Sequence, residues 1–225
     1  MPMGEGSHRT MEKRIAVIGS GNVATHLATA VEGVVQICSP NLANAAALAE
    51  KVGCDATNSP SGLADADIYI VAVKDDAIAA VLESVPTRCR KALWMHTSGS
   101  VGKSVFDGLG YDRYGVFYPL QTFSKSVDLD MSRVPFFIEG SDKRTTDEIR
   151  QLALSVSTTV YIADSHLRQQ MHPVRSFFYC PSFAFLLKSV QRQTYHLQGL
   201  QQVRRDFFIH GQPLQFLIDQ LHLAS

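Results

Sequence analysis

Ile15-Ala16-Val17-Ile18-Gly19-Ser20-Gly21-Asn22-Val23-Ala24 constrains this chain more than any other stretch. An apolar strand that breaks at a glycine and runs at once into a helix fits the pattern G-x-G-x-x-G/A, with Ala24 in the third place. Each position has its own reason. Gly19 permits the tight strand-to-helix turn, Gly21 lets a pyrophosphate approach the backbone without meeting a Cβ, and Ala24 keeps the helix close to the sheet. Val23, Leu27 and Val31, with Ala24 and Ala28 beside them, mark the apolar face of that helix. The N–H groups at its start then meet phosphate charge. Gly19, Ser20, Gly21, Asn22, Val23 and Ala24 are therefore the candidate pyrophosphate site, although a plain glycine turn would read the same out of context.

The context is a chain that alternates short apolar runs with helical periodicity, the mark of β-α-β units and a mostly parallel, doubly wound α/β sheet of Rossmann type. Val34 to Cys38 reads as a strand. Pro40 breaks it, and Leu42, Ala45, Ala49 and Val52 mark a helix closed by Gly53. Asp67 to Val73 is a continuous apolar run, as a strand buried on both faces requires. A helix with Ile78, Val81, Leu82 and Val85 on its apolar face follows Asp75 and Asp76. Ala92 to His96, Gly115 to Tyr118, Phe136 to Ile138 and Thr159 to Ile162 supply further strands. The last two flank a helix with Ile149, Leu152, Ala153 and Val156 inward.

The expected organisation is a disordered leader over 1–12, a dinucleotide-binding domain over 13–163 and a smaller, mainly helical segment over 164–225. Composition changes at that boundary. Five of the eight histidines fall after Ser165, where Asp206 and Asp219 are the only acids, and helices are expected near Ser182 to Leu200 and Pro213 to Leu223.

A dinucleotide site selective for NAD presents an acid to the ribose about twenty residues after the first glycine. Here Ser39 stands in that place, followed by Pro40 and Asn41. A neutral hydroxyl does not repel a 2′-phosphate, so NADP is expected and NAD is less favoured, even though the usual neighbouring Arg is missing. Ligands of an open parallel sheet sit beyond the carboxyl ends of its strands. That brings in Val73 and Lys74, which could contact cofactor, while Lys74-Asp75-Asp76 could equally start a helix. It also brings in His96-Thr97-Ser98-Gly99-Ser100 and Tyr118-Pro119-Leu120-Gln121-Thr122-Phe123, then Lys125. His96, Ser98 and Gln121 are the candidate catalytic and substrate-positioning residues. His96 is the proton-transfer candidate because imidazole titrates nearest neutrality, with a structural strand-end histidine as the other reading.

Other classes find less support. The chain is 45% apolar and 19% charged, with a formal net charge of zero, so nothing draws it as a whole to nucleic acid. No apolar run is long enough for a membrane helix and no signal peptide is visible, so a small-molecule substrate and a cytoplasmic setting are expected. Cys38, Cys54, Cys89 and Cys180 show no metal-ligand spacing, His166 and His172 lack i,i+4 spacing, and the G-x-S-x-G elbow of hydrolases is absent.

Taken together, Gly19 to Ala24, His96 to Val101 and Gly115 to Phe123 resemble the NADP oxidoreductases that join a Rossmann-like domain to a helical domain of unknown function numbered 2520. The likeness runs from about Lys13 to about His172. More distantly, the chain is similar to pyrroline-carboxylate reductases, deazaflavin-linked NADP reductases and 6-phosphogluconate-type dehydrogenases. The resemblance implies NADP binding and a helical second domain that forms a homodimer. Residues after His172 depart from it. Their loss of acids and excess of Gln, His and Phe is what a shift of reading frame near Pro173 would leave. The function expected is hydride transfer between NADP(H) and a small carbonyl, imine or hydroxy-acid substrate; a non-catalytic dinucleotide-binding or redox-sensing module is the alternative.

Overall fold

The computed structural model describes residues 13–171. Strand β1 (Ile15–Ile18) leads through the glycine turn into helix α1 (Asn22–Ala30), then β2 (Val34–Cys38), α2 (Leu42–Val52), β3 (Asp55–Thr57), β4 (Ile68–Val71), α3 (Ile78–Ser84) and β5 (Leu93–His96). The second half comprises β6 (Arg113–Pro119), β7 (Phe136–Gly140), α4 (Lys143–Val156), β8 (Val160–Ile162) and α5 (Ser165–Met171). Elements expected from periodicity are present, with ends shifted by a few residues. The apolar run from Asp67 to Val73 forms only the four-residue β4. The three-residue β3, with its exposed Asp55, had no periodic signal and was not expected. Helices expected near Ser182 to Leu200 and Pro213 to Leu223 lie outside the described residues, as does the leader.

The sheet has eight strands in the order β3-β2-β1-β4-β5-β6-β7-β8. All neighbours run parallel except β6 and β7, which pair antiparallel. The chain turns from β1 toward β2 and β3 on one side, then returns to place β4 on the other side of β1. A crevice at the carboxyl edge between β1 and β4 follows from that reversal.

Alternation along each strand divides the core. Ile15, Val17, Ile68, Ile70, Leu93 and Met95 face α1, α2 and α4. Ala16, Ile18, Tyr69, Val71 and Trp94 face α3 and the loop carrying Phe106 and Tyr111. On this second side Tyr69 stacks on Trp94 with centroids 4.2 Å apart. Such contacts add about 0.5–1.5 kcal/mol beyond burial. Among the described residues no helix is long and apolar enough to cross a membrane.

Candidate functional site

Gly19 and Gly21 are glycines for different reasons. Gly19 has φ +123°, and a Cβ there would lie 2.2 Å from the carbonyl oxygen of Ala72, just past the end of β4 across the reversal. The fold itself forbids a side chain. Gly21 has φ −80°, an ordinary value, and a Cβ there would meet nothing within 4 Å. Packing therefore gives no reason for glycine at 21; the bare backbone opens onto free space.

Helix α1 starts at that space without a side-chain cap. Helices α2 and α4 are capped by Asn41 and Asp142, which accept from the N–H groups of Asn44 and Thr145. An uncapped helix start leaves N–H donors and a partial positive charge for an anion. Ala24 is buried beneath it, packed in the core. The donors and bare backbone fit a pyrophosphate.

Ser20 donates a hydrogen bond of 2.8 Å to the Ser39 hydroxyl, so the glycine turn and the end of β2 are joined directly. Val73 also reaches this turn: its Cγ1 lies 3.5 Å from the position of a Cβ on Gly19. Lys74 is exposed where a short 3-10 turn, Asp75–Ala77, begins. Asn22 points elsewhere. Its side-chain amide donates to the Phe123 carbonyl at 3.0 Å, and His26, one turn on, pairs with the Ser124 carbonyl at 2.9 Å. These bonds draw the loop after β6, which carries Gln121, onto α1. The Gln121 side chain accepts from the N–H of Thr122 at 2.8 Å.

His96 ends β5, and Ser98 lies two residues beyond it. Register places Val71, His96, Val116 and Glu139 in one row across β4, β5, β6 and β7. His96 follows Trp94 by two residues and shares its face, where the ring stacks on Phe106. Its Nδ1 accepts from the N–H of Ser98 at 3.2 Å, which puts the proton of the neutral ring on Nε2. Nε2 is buried and has no hydrogen-bond partner. Burial first, then the positive charge of Arg168, hold the imidazole pKa down to about 4 against weaker support from Gly102, Asp75 and Glu139. At neutral pH this histidine is uncharged and, at 0% exposure, sealed from solvent. Ser98 is buried too, and its hydroxyl accepts from the N–H groups of Ser100 and Val101. Ser100 in turn donates to the Asp75 carboxylate.

Two residues that sequence reasoning did not single out complete this edge. Glu139 on β7 pairs with Arg168 of α5 at 2.8 Å and with Lys103 at 3.2 Å. Burial pushes the Glu139 carboxyl up, but bonds from Arg168, Ser165 and Lys103 outweigh it and hold the pKa below the ordinary value. A charged residue directly after the Phe-Phe-Ile run is the only trace in the sequence, and it names no partner. Lys125, which follows the loop after β6, is exposed. No group of three metal-ligating side chains occurs among the described residues.

A family model described as NADP oxidoreductase, coenzyme F420-dependent, matches residues 14–93, which span β1 to the start of β5. A Bacteroides fragilis protein classed as an NADP oxidoreductase is 34% identical over 84% of this chain and 75% of its own, with a TM-score of 0.69. This chain belongs to the NADP oxidoreductase family. The fold of this family member is also that of two more distant structures. An imine reductase from Myxococcus stipitatus in complex with NADP+ matches with a TM-score of 0.57 at 15% identity, over 79% of this chain and 64% of its own. A pyrroline-5-carboxylate reductase from Coxiella burnetii matches with a TM-score of 0.58 at 15% identity, over 95% and 91%. No curated protein matches in sequence. The glycine turn and uncapped α1 of this NADP oxidoreductase lie within the stretch that the family model covers; His96, Ser98 and Gln121 lie beyond it.

Proposed function

We propose that the chain binds NADP(H) and transfers hydride to or from a small carbonyl, imine or hydroxy-acid substrate. One observation carries the reading. Gly21 has no packing reason to be glycine, and it opens the uncapped start of α1 at the crevice between β1 and β4. In this reading Gly19 to Ala24 seat the pyrophosphate, with Asn22 contributing its backbone while its side chain holds the loop after β6. Ser39 meets the adenosine ribose. Ser39 carries no charge, and it is held by Ser20, which supports a 2′-phosphate better than an acid would. Val73 and Lys74 border the cofactor on the β4 side.

When bound, the nicotinamide supplies the hydride chemistry. The protein supplies placement: the Ser98 and Gln121 loops flank the substrate, and His96 orients the Ser98 turn from beneath. Proton transfer by His96, the expectation from sequence, requires the turn over it to open. The segment from 164 onward is read as a second unit that contributes to the substrate side and to a homodimer.

A non-catalytic dinucleotide-binding module is the second reading, and the burial of His96 favours it. A titration with NADPH, and separately NADH, on wild type and Gly21→Asp tests the cofactor claim. Binding in the wild type, tighter for NADPH and lost in the variant, is expected. A wild type that binds neither sinks it. Turnover against a panel of carbonyl, imine and hydroxy-acid compounds then separates enzyme from module.

A further inference from the structure

We infer that Arg168 is a positioning residue which, from α5, sets the turn Ser98–Val101 and through it the nicotinamide half of the dinucleotide site. The inference rests on the NADP(H) reading above. Arg168 is 0% exposed, yet it carries a charge. Its guanidinium donates to Glu139 Oε2 at 2.8 Å through one nitrogen, and to the Val101 carbonyl at 2.8 Å and Ser165 Oγ at 3.3 Å through another. The next residue, Gln169, donates to the Ser100 carbonyl at 2.8 Å. Ser165 accepts from the N–H of Lys103 at 3.2 Å. Contacts from Ser165, Arg168 and Gln169 on α5 therefore reach residues 103, 101 and 100.

The same turn is held from its other side. Ser100 donates to Asp75, which starts the 3-10 turn after β4. The peptide that follows His96 is thus clamped between the β4 side of the crevice and α5. Replacing a buried ion pair by apolar groups is often neutral or stabilising, so a pair like Arg168–Glu139 is a poor source of stability. Geometry is what the planar fork contributes. It fixes the Val101 carbonyl relative to the Glu139 carboxylate, two strands away from β5, in a way that a flexible lysine cannot reproduce. Small displacements of a positioning element are costly to a bound ligand even when the fold survives.

The test compares NADPH with 2′-phospho-ADP-ribose, which has every part of the cofactor except the nicotinamide. Calorimetric titrations are run on wild type, Arg168→Met, Arg168→Lys and Gln169→Ala, with thermal unfolding alongside. For Arg168→Met, NADPH affinity is expected to fall about tenfold or more while the fragment stays within about twofold. Arg168→Lys recovers unfolding temperature, because it still pairs with Glu139, but keeps the NADPH loss. Gln169→Ala, a change at an exposed residue, shows a smaller loss of the same kind, and with Arg168→Lys it decides the matter if Arg168→Met does not fold. Equal loss for cofactor and fragment, or no loss in Arg168→Lys and Gln169→Ala, overturns the inference while leaving the cofactor reading intact. A wild type that binds neither molecule overturns both.

Discussion

Gly19 and Ala72 meet across the reversal of the sheet so closely that a Cβ on Gly19 would lie 2.2 Å from the Ala72 oxygen. Two glycines of one motif thereby separate fold from function. Gly19→Ala combines a positive φ with a backbone clash and is expected to destabilise by roughly 2–6 kcal/mol. Gly21→Ala meets nothing and should leave the unfolding free energy within about 0.5 kcal/mol while weakening NADPH. Urea unfolding with NADPH titration checks both; a Gly19→Ala protein as stable as wild type contradicts the packing argument.

In the proposed reading Ser39 holds the position that sets cofactor preference. Ser39→Asp places a carboxylate beside the Ser20 hydroxyl, where it repels a 2′-phosphate and accepts from a ribose hydroxyl. NADPH is expected to weaken at least about tenfold and NADH to weaken less or improve. Parallel titrations decide it, and an unchanged ratio removes Ser39 from the ribose site.

Stability should fall with acid through a window that belongs to His96. The folded pKa is about 4 and the ordinary value 6.5, so below 6.5 the unfolded chain takes a proton that the folded chain refuses. The contribution is whole above pH 6.5 and is lost as pH falls toward 4, to a total of about 3 kcal/mol. Glu139 and Glu148 are lowered from 4.5, so their losses begin only near pH 4.5, at the acid end of that window. Denaturant midpoints between pH 7 and 5 measure the slope. His96→Gln should flatten it, and a slope equal in both proteins would trace the effect elsewhere.

The bond from Asn22 to the Phe123 carbonyl ties the loop after β6 to α1. Asn22→Ala removes that tie at an exposed position, so global stability should change by less than about 1 kcal/mol. Amide exchange over 121–126 should quicken while that of β1 and β4 stays fixed. Unaltered exchange in the loop would show that His26 alone suffices to hold it.

Much of the scaffold was legible in the residues. The glycine turn, the apolar face of α1, the Gly53 cap of α2 and the strands other than β3 follow from local chemistry, since periodicity and glycine conformations act over a few residues. The short β3 was not legible because its residues are half-exposed and aperiodic. Asn22 illustrates a different limit. Its place in the motif suggested a cofactor contact and gave no sign that its side chain bonds a loop 101 residues away.

By itself the sequence determined that a strand, a bare turn and a helix would make an anion-ready edge, and that Ser39 would offer no negative charge there. Tertiary structure alone decided that His96 lies under Phe106 as a neutral ring, that Glu139 shares its row, and that Arg168 pairs with Glu139. Local rules set which face a side chain takes, but strand order and register set which distant groups share that face, and those arise only when the whole sheet assembles.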